Sequence, residues 1–468
     1  MFDKVLIANR GEIALRVVRA CHEMGIRSVV VHSVRDRDST PVRLCDEPVQ
    51  IGPPQPKKSY LNAAAVLEAA IRTGANAIHP GYGFLSENPD FADACEAAQI
   101  VFVGPSASTM ARLGSKLSAR ALMAKAGLPL LPGSLGVMDD GGALELAKQI
   151  GFPVIVKASA GGGGRGMRVV DGPDGFADAY RETQATARRL FGDGRVYLEK
   201  YLQTARHVEI QVLCDGHGNA IHLGPRDCSV QRRHQKLVEE SPAPGLSDEL
   251  LADMGKAARQ GALLAGYRGA GTFEFLVGPD EKYYFMEVNC RIQVEHPVTE
   301  MVTGVDIVQE QLRIAAGEQL QLEQGDVQPR GVAIECRINA EDPDRDFAPT
   351  PGAISEFVPP AGPFVRVDTH VEPGYRVPPD YDSLLAKLIV WAPDRERAIA
   401  RMRRALNEFR ISGDNISTTR RFLLDVIDHP RFRTASHSTS LIDEMRRRGQ
   451  PAAEQAHGEP AHGGADSD

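Results

Sequence analysis

EVNCRIQVEHP, residues 287–297, decides how this chain is read. Its odd positions to 295 are polar: Glu287, Asn289, Arg291, Gln293 and Glu295. Its even positions are small or apolar: Val288, Cys290, Ile292 and Val294. A period of two sends alternate side chains to opposite faces of a strand. One face then carries three charges and two amides. The pattern leaves two readings open, a wet surface strand or a strand lining a site for charged ligands.

The preceding residues sharpen the choice. GTFEFLVGPDEKYYFMEVN (271–289) has two strand patterns around a GPDE turn signal. A hairpin symmetric about Asp280 and Glu281, without a bulge, pairs Val277 with Tyr284 and Phe275 with Met286. It sets Glu274 opposite Glu287, with Asn289 on the same face. Two carboxylates opposed across a strand pair are destabilising unless a positive charge lies between them. Glu274, Glu287 and Asn289 are hard oxygen donors suited to Mg²⁺ or Mn²⁺. The competing reading has both glutamates facing water. If the metal reading holds, Arg291, Gln293 and Glu295 extend the face beyond the ion. They offer an anion clamp, an amide and a proton acceptor to a second substrate.

Further upstream, residues 4–8, 12–25 and 28–33 read as strand, amphipathic helix and strand, with Ile13, Val17 and Cys21 on the helix's apolar face and Gly25 capping its end. The alternation continues through a helix near 63–72, a strand at ANAIH, a helix near 91–99 and the strand IVFVG. This predicts a doubly wound parallel α/β sheet, though its first turn lacks G-x-G-x-x-G. A Gly/Pro-rich break at 127–142 precedes PVIVKASAGGGGRGMRVV (153–170), two strand-like runs around a glycine loop. Such a loop lets backbone N–H groups approach anionic oxygens, and a flexible hairpin tip is the alternative. VYLEKYL (196–202) is strand-like, and its end can offer backbone groups to a flat heterocycle. RDCSVQRRHQK (226–236) gathers Gln231, His234 and Lys236 in a basic cluster, either a solvated face or a pocket for small anions.

Composition bounds the function. The chain has 468 residues, enough for about three domains. Its net charge of −8 argues against broad binding to nucleic acid or an anionic membrane. Seven scattered cysteines without a C-x-x-C pair suggest neither a zinc site nor a disulfide framework, and free thiols fit a cytoplasmic protein. No apolar run reaches the ~18 residues of a membrane span.

Eight motifs, taken together, carry a resemblance. IANRGEIA (7–14), HPGYGFLSEN (79–88), KASAGGGGRGM (157–167), RHVEIQV (206–212), RDCSVQRRHQK (226–236), GTFEF (271–275), NCRIQVEHPVTE (289–300) and ECRINAED (335–342) closely resemble biotin carboxylase, in order and across residues 1 to about 445. This is the ATP-grasp component of biotin-dependent carboxylases. The resemblance implies an N-terminal parallel α/β domain (1–113), an ATP-grasp domain (114–325) with a mobile lid at about 130–203, and a C-terminal domain (326–448). A disordered tail (449–468) is expected from its composition. ATP, two Mg²⁺ or Mn²⁺ ions, bicarbonate and carrier-borne biotin are the implied ligands. Lys116, Lys157, the Gly163 and Gly164 backbone, Glu199, Lys200, Tyr201, Leu202, His207, Gln231 and His234 are matched to ATP. Glu274, Glu287 and Asn289 are matched to the metals. Lys236, Arg291, Gln293 and the Val294 backbone are matched to bicarbonate, with Glu295 as general base and Arg337 facing the biotin ureido oxygen.

Three positions depart from the family pattern: Ser115, Pro225 and Cys290 stand where Asp, Glu and Thr are usual. No Met-Lys-Met biotinylation motif occurs. The expectation is a subunit, commonly a homodimer, that works with a biotin carboxyl carrier protein and a carboxyltransferase on other chains. It would run the first half-reaction of an acyl-CoA carboxylase acting on acetyl-CoA or propionyl-CoA, as in fatty acid biosynthesis. The competing readings are another ATP-grasp ligase, such as a carbamoyl-phosphate-type enzyme, and a nucleotide-binding regulator without turnover.

Overall fold

A computed structural model describes residues 1–160 and 166–449. Gly163, Gly164 and the tail from residue 450 therefore lie outside the described residues.

The N-terminal sheet is parallel. Its strands lie side by side in the order Glu47–Gly52, Arg27–Ser33, Lys4–Ile7, Ala77–His79, Val101–Phe102. The chain first winds outward from Lys4–Ile7 on one side, then returns to build the other. Ligands in such sheets bind at the carboxyl ends of the strands where the order reverses. The turn after Lys4–Ile7 does line a large cleft, through Asn9, Arg10, Gly11 and Glu12. Gly11 has φ +69°, a conformation that favours glycine, and it opens the helix Gly11–Glu23. Ile13, Val17 and Cys21 of that helix are buried, as the 3.6-residue period predicts.

The glycine-loop region forms a small unit with its own core. Val154–Ala158 lies between Met167–Val170 and Val196–Lys200, antiparallel to both. The helices Asp140–Ile150 and Phe176–Phe191 contribute the apolar residues beneath them. The two strand-like runs read on either side of the glycines are strands and pair with one another, Lys157 opposite Met167.

The site sits on an eight-stranded antiparallel sheet. In spatial order its strands are Tyr283–Asn289, Gly269–Val277, Arg206–Cys214, Ala220–Arg232, Gln235–Ser241, Val332–Asn339, Leu384–Ala392 and Val365–Thr369. The sheet runs from residues 206–289 directly into residues 332–392, so the C-terminal residues extend it rather than form a separate layer.

Two expectations about residues 271–297 need correction. Glu274 does pair with Glu287, but the hairpin is bulged. Beyond the bulge Phe275 faces Phe285 and Val277 faces Tyr283, not Met286 and Tyr284. The physical reason is the core. Phe273, Phe275 and Phe285 pack as a buried aromatic cluster. Strict alternation would place Phe285 on the same face as Glu287. The extra residue, Met286, lets Phe285 turn inward while Met286 and Glu287 both line the cleft. The strand also ends at Asn289, and a helix starts at His296 with Pro297 in its first turn. Arg291, Gln293 and Glu295 thus sit on an irregular segment rather than a strand.

Phe285→Ala should cost about 3–5 kcal/mol of stability through the cavity it leaves. Urea denaturation checks this, and a loss under about 1 kcal/mol would show that the bulge does not serve the aromatic core.

Candidate active site

The eight-stranded sheet brings four charged residues into one transverse row. Glu287 pairs with Glu274, Glu274 with Glu209, and Glu209 with Arg226. Neighbouring strands lie about 4.8 Å apart, so three carboxylates would repel unless cations intervene. Arg226 is fully buried and meets the first need. Its Nε donates to Glu209 Oε1 at 2.5 Å. Its Nη1 and Nη2 donate to Gln211, Thr299, Thr272 and Gln293. Lys236 meets the second. Its Nζ donates to Glu209 at 2.6 Å, Glu274 at 3.1 Å and Glu295 at 2.6 Å. The third cation, Lys116, lies 3.0 Å from Glu287.

The resulting cleft has a volume of about 1240 Å³. Lys116, Lys157, Lys200, Tyr201, Leu202, His207, Gln231, His234, Lys236, Glu274, Glu287, Asn289, Arg291, Gln293, Val294, Glu295 and Arg337 line it. Glu199 does not. It is buried, with its carboxylate on Arg120 and, at 2.7 Å, on Lys157. Its side chain anchors the Lys157 ammonium rather than facing a ligand. The amides of Lys200 and Tyr201 are engaged by Pro132 and Pro153 carbonyls.

The basic cluster at 226–236 separates into different tasks. Arg232 and Arg233 turn to Asp346 at the surface, 2.9 and 2.8 Å away. Arg233 and His234 form a two-residue turn with φ of +47° and +66°, which carries His234 to the cleft. Lys236 returns inward on the next strand.

Electrostatics follow from this packing. Burial pushes the Glu295 carboxyl up, but Lys236 and then Arg337, 2.9 Å from its Oε2, hold it well below the usual range. Burial opposes ionisation of Glu274 too, and Lys236 and His207 outweigh it. His207 Nε2 is 3.1 Å from Glu274 Oε2, and burial, which lowers the imidazole, is overcome by that carboxylate.

Which residues could hold a divalent cation follows from donor chemistry. Glu274, Glu287 and Asn289 lie on adjacent strands, with Asn289 paired to Thr272, and their oxygens are the donor type a hard ion takes; here Asn289 Nδ2 donates to Glu274 Oε1 at 2.7 Å and its Oδ1 accepts from Arg291 at 3.1 Å, so an ion would replace those bonds. Donor atoms of His207, Glu209 and Glu274 also lie within 4.8 Å of one another, but the Lys236 ammonium already bridges Glu209 and Glu274.

Arg291 is oriented by a residue the sequence reading did not single out. Glu87 Oε2 accepts from its Nε at 3.0 Å, and Glu87 Oε1 from the Cys290 amide at 2.9 Å. Glu87 lies within HPGYGFLSEN, so the signal was present without its partner. Lys387 was also missed. Fully buried, it donates to the Val294 carbonyl at 3.0 Å and meets Glu12 at 3.0 Å. Of the departures, Cys290 is buried in the apolar cluster and Ser115 caps the helix Lys116–Lys125. Pro225 sits where the strand register slips, a position tolerant of a missing N–H.

Family models match in sequence along the chain. Residues 1–110 match "Biotin carboxylase, N-terminal domain" and residues 335–444 match "Biotin carboxylase C-terminal domain". Residues 115–323 match "Carbamoyl-phosphate synthase L chain, ATP binding domain". A biotin carboxylase from a Nostoc species is 54% identical over 447 residues, covering 95% of this chain and 100% of that one. This chain belongs to the biotin carboxylase family. The crystal structure of a biotin carboxylase complex from Campylobacter jejuni is 46% identical with a TM-score of 0.92, over 95% of this chain and 99% of that one. The biotin carboxylase domain dimer of Hydrogenobacter thermophilus 2-oxoglutarate carboxylase, in complex with MgADP, ADP and bicarbonate, is 47% identical with a TM-score of 0.92, over 96% and 98%. The three-part biotin carboxylase architecture read from the motifs is therefore the fold. Among the described residues the seven cysteines are free thiols, and no helix is long and apolar enough to cross a membrane.

Lys236→Met should cost about 3–5 kcal/mol at neutral pH, because three buried carboxylates lose a shared cation. Glu274 and Glu295 are held down in the folded state, so their stabilisation is full above the unfolded carboxylate value and lost as pH falls. The gap between wild type and variant should narrow below about pH 4.5 in urea titrations. A gap independent of pH would show that the ion pairs are not its source.

Proposed function

We propose that this chain carboxylates biotin on a separate carrier protein, using ATP and bicarbonate. The observation that carries the reading is the row of paired carboxylates flanked by Lys236, Arg291 and Arg337 in one cleft. Its cations and carboxylates suit the joining of two anions, and membership of the biotin carboxylase family names the acceptor.

Lys116, Lys157, His207, Gln231 and His234, with the strand end at Lys200, Tyr201 and Leu202, would bind the nucleotide. Glu274, Glu287 and Asn289 would hold Mg²⁺ or Mn²⁺, which would offset the charge gathering on the transferring phosphoryl group. Arg291, fixed from behind by Glu87, would clamp bicarbonate with Gln293, Lys236 and the Val294 backbone. Lys387 fixes that backbone through the Val294 carbonyl.

Glu295 would serve as the base. It starts ionised, as a base must, because Lys236 and Arg337 hold it so. Bicarbonate entering beside Arg291 would compete for Lys236 and return proton affinity to Glu295. Attack on the γ-phosphate would give carboxyphosphate, which yields CO₂ and phosphate. The phosphate released would take the N1′ proton of biotin. Arg337 would stabilise the enolate-like ureido oxygen while the nitrogen attacks CO₂.

The same reading makes the chain one half of a homodimer that meets a biotin carboxyl carrier protein and a carboxyltransferase. The relatives' names point to more than one acceptor: one relative, 51% identical, is a pyruvate carboxylase component of Methanothermobacter thermautotrophicus. We place this chain in an acyl-CoA carboxylase, acting on acetyl-CoA or propionyl-CoA. Seven free thiols suit the cytoplasm.

The purified chain should cleave ATP only with bicarbonate, and faster when free biotin is added. Glu295→Gln should lower that rate by about 10²–10⁴-fold while nucleotide affinity is kept. Ammonia-dependent cleavage, or an equal loss of nucleotide affinity in the variant, would overturn the assignment.

A further inference from the structure

The strands Gln235–Ser241 and Val332–Asn339 set two glutamates directly opposite one another, Glu239 against Glu335. Both have 0% exposure. Among the described residues, none of their four carboxylate oxygens makes a hydrogen bond. Like charges at a directly paired sheet position are destabilising, and a buried carboxylate without hydrogen bonds is costlier still. The reaction steps above give neither residue a task.

Their surroundings do. Arg337 Nη2 lies 2.5 Å from Glu239 Oε1, off the line of a hydrogen bond, and 2.9 Å from Glu295 Oε2. Arg337 stands two residues beyond Glu335 on the same strand, so both side chains share a face. Lys387 lies across the next strand pair, opposite Arg337. The charged groups facing Glu239, besides Glu335 opposite it, are Arg337, Glu295 and Lys236. Those facing Glu335 are Lys387, Glu239, Arg337 and Glu295. The thiols of Cys228 and Cys336 complete the surroundings.

We propose that Glu239, backed by Glu335, is a positioning residue for Arg337, anchoring the guanidinium from behind so that it faces the carboxyl acceptor beside Glu295. This rests on the biotin carboxylase reading above. Burial pushes the Glu239 carboxyl up to about 7; Arg337 opposes the rise and the charge on Glu295 adds to it. Burial pushes Glu335 well above the usual range against the pull of Lys387. Burial of the two opposed carboxylates thus moves proton uptake by the pair toward neutral pH. As pH rises through about 7, Glu239 ionises and Arg337 gains its rear anchor. Below that, Arg337 is held by Glu295 instead and the acceptor side of the site loosens.

The test uses the intact chain with free biotin as acceptor, following carboxylation and ATP cleavage from pH 6 to 9. In wild type, kcat/KM for biotin should rise through a limb near pH 7. Glu239→Gln should lower kcat/KM at pH 8 by about tenfold or more, the scale of a misplaced reacting group, and should abolish the limb. Glu239→Asp, which keeps a carboxylate, should restore a limb at a shifted pH. If wild type cleaves no ATP with bicarbonate, the reading of function fails and this inference falls with it. If wild type turns over and the Glu239→Gln profile superimposes on it, Glu239 does not position Arg337, while the reading of function stands. Should Glu239→Gln not fold, wild type and Glu239→Asp decide. A wild-type profile without the limb, or one that Glu239→Asp leaves in place, overturns the inference; a displaced limb supports it.

Discussion

Three carboxylates in one row, Glu287, Glu274 and Glu209, are the constraint from which the rest of this structure follows. Backbone pairing fixes their spacing, so they cannot relax apart. Each needs a cation, and each has one: Lys116, Lys236 and Arg226. The desolvation of so many charges is a cost that an apolar core would not carry. It is offset by pairing, and its return is a set of dipoles and charges fixed before any substrate arrives.

The cations are not equivalent. Arg226 spreads five donors over Glu209, Gln211, Thr272, Gln293 and Thr299, which locks four segments of chain around one guanidinium. Lysine could not make that fork. Lys236 is a compact charge lining the cleft, touching Glu209, Glu274 and Glu295. A residue shared among three carboxylates can move toward an incoming anion without leaving any one of them wholly unpaired. The first therefore suits a scaffold and the second a substrate contact.

Much of this was legible in the sequence, for a physical reason. Side-chain alternation is local, so GTFEF and EVNCRIQVE announced a polar face, and the turn signal GPDE set Glu274 against Glu287. The bulge at Met286 was not legible, because it serves Phe273 and Phe275 on the neighbouring strand, and packing against them decides which way Phe285 turns. Glu209 and Arg226 were hidden for the same reason. Each stands in an ordinary strand pattern, and its partners arrive from residues 211, 272, 293 and 299 by long-range pairing. Residues 226–236 looked like a single basic patch. The fold instead buries Arg226, sends Arg232 and Arg233 to Asp346 and turns Lys236 back to the cleft.

The continuity of the large sheet explains how distant residues meet with such short separations. Arg337 and Lys387 come from strands far along the chain, yet they belong to the same eight-stranded sheet as Glu209 and Glu274. Their placement relative to Glu209 and Glu274 is therefore set by ladder hydrogen bonds rather than by the docking of one domain on another. Docked domains slide, whereas a paired register is fixed to a fraction of an ångström. The N-terminal residues add contacts of their own, among them Glu87 on Arg291 and Glu12 on Lys387, with Tyr82 bonded to the Glu12 carboxylate. Lys387 passes that restraint to the Val294 carbonyl. The glycine-loop unit, with its separate small core, is the part left outside this framework. Glu209, Glu274, Glu287, Lys236 and Arg337 thus share one sheet, while the strands Val154–Ala158, Met167–Val170 and Val196–Lys200 pack on a core of their own, so the row of charges does not depend on how that smaller core is packed.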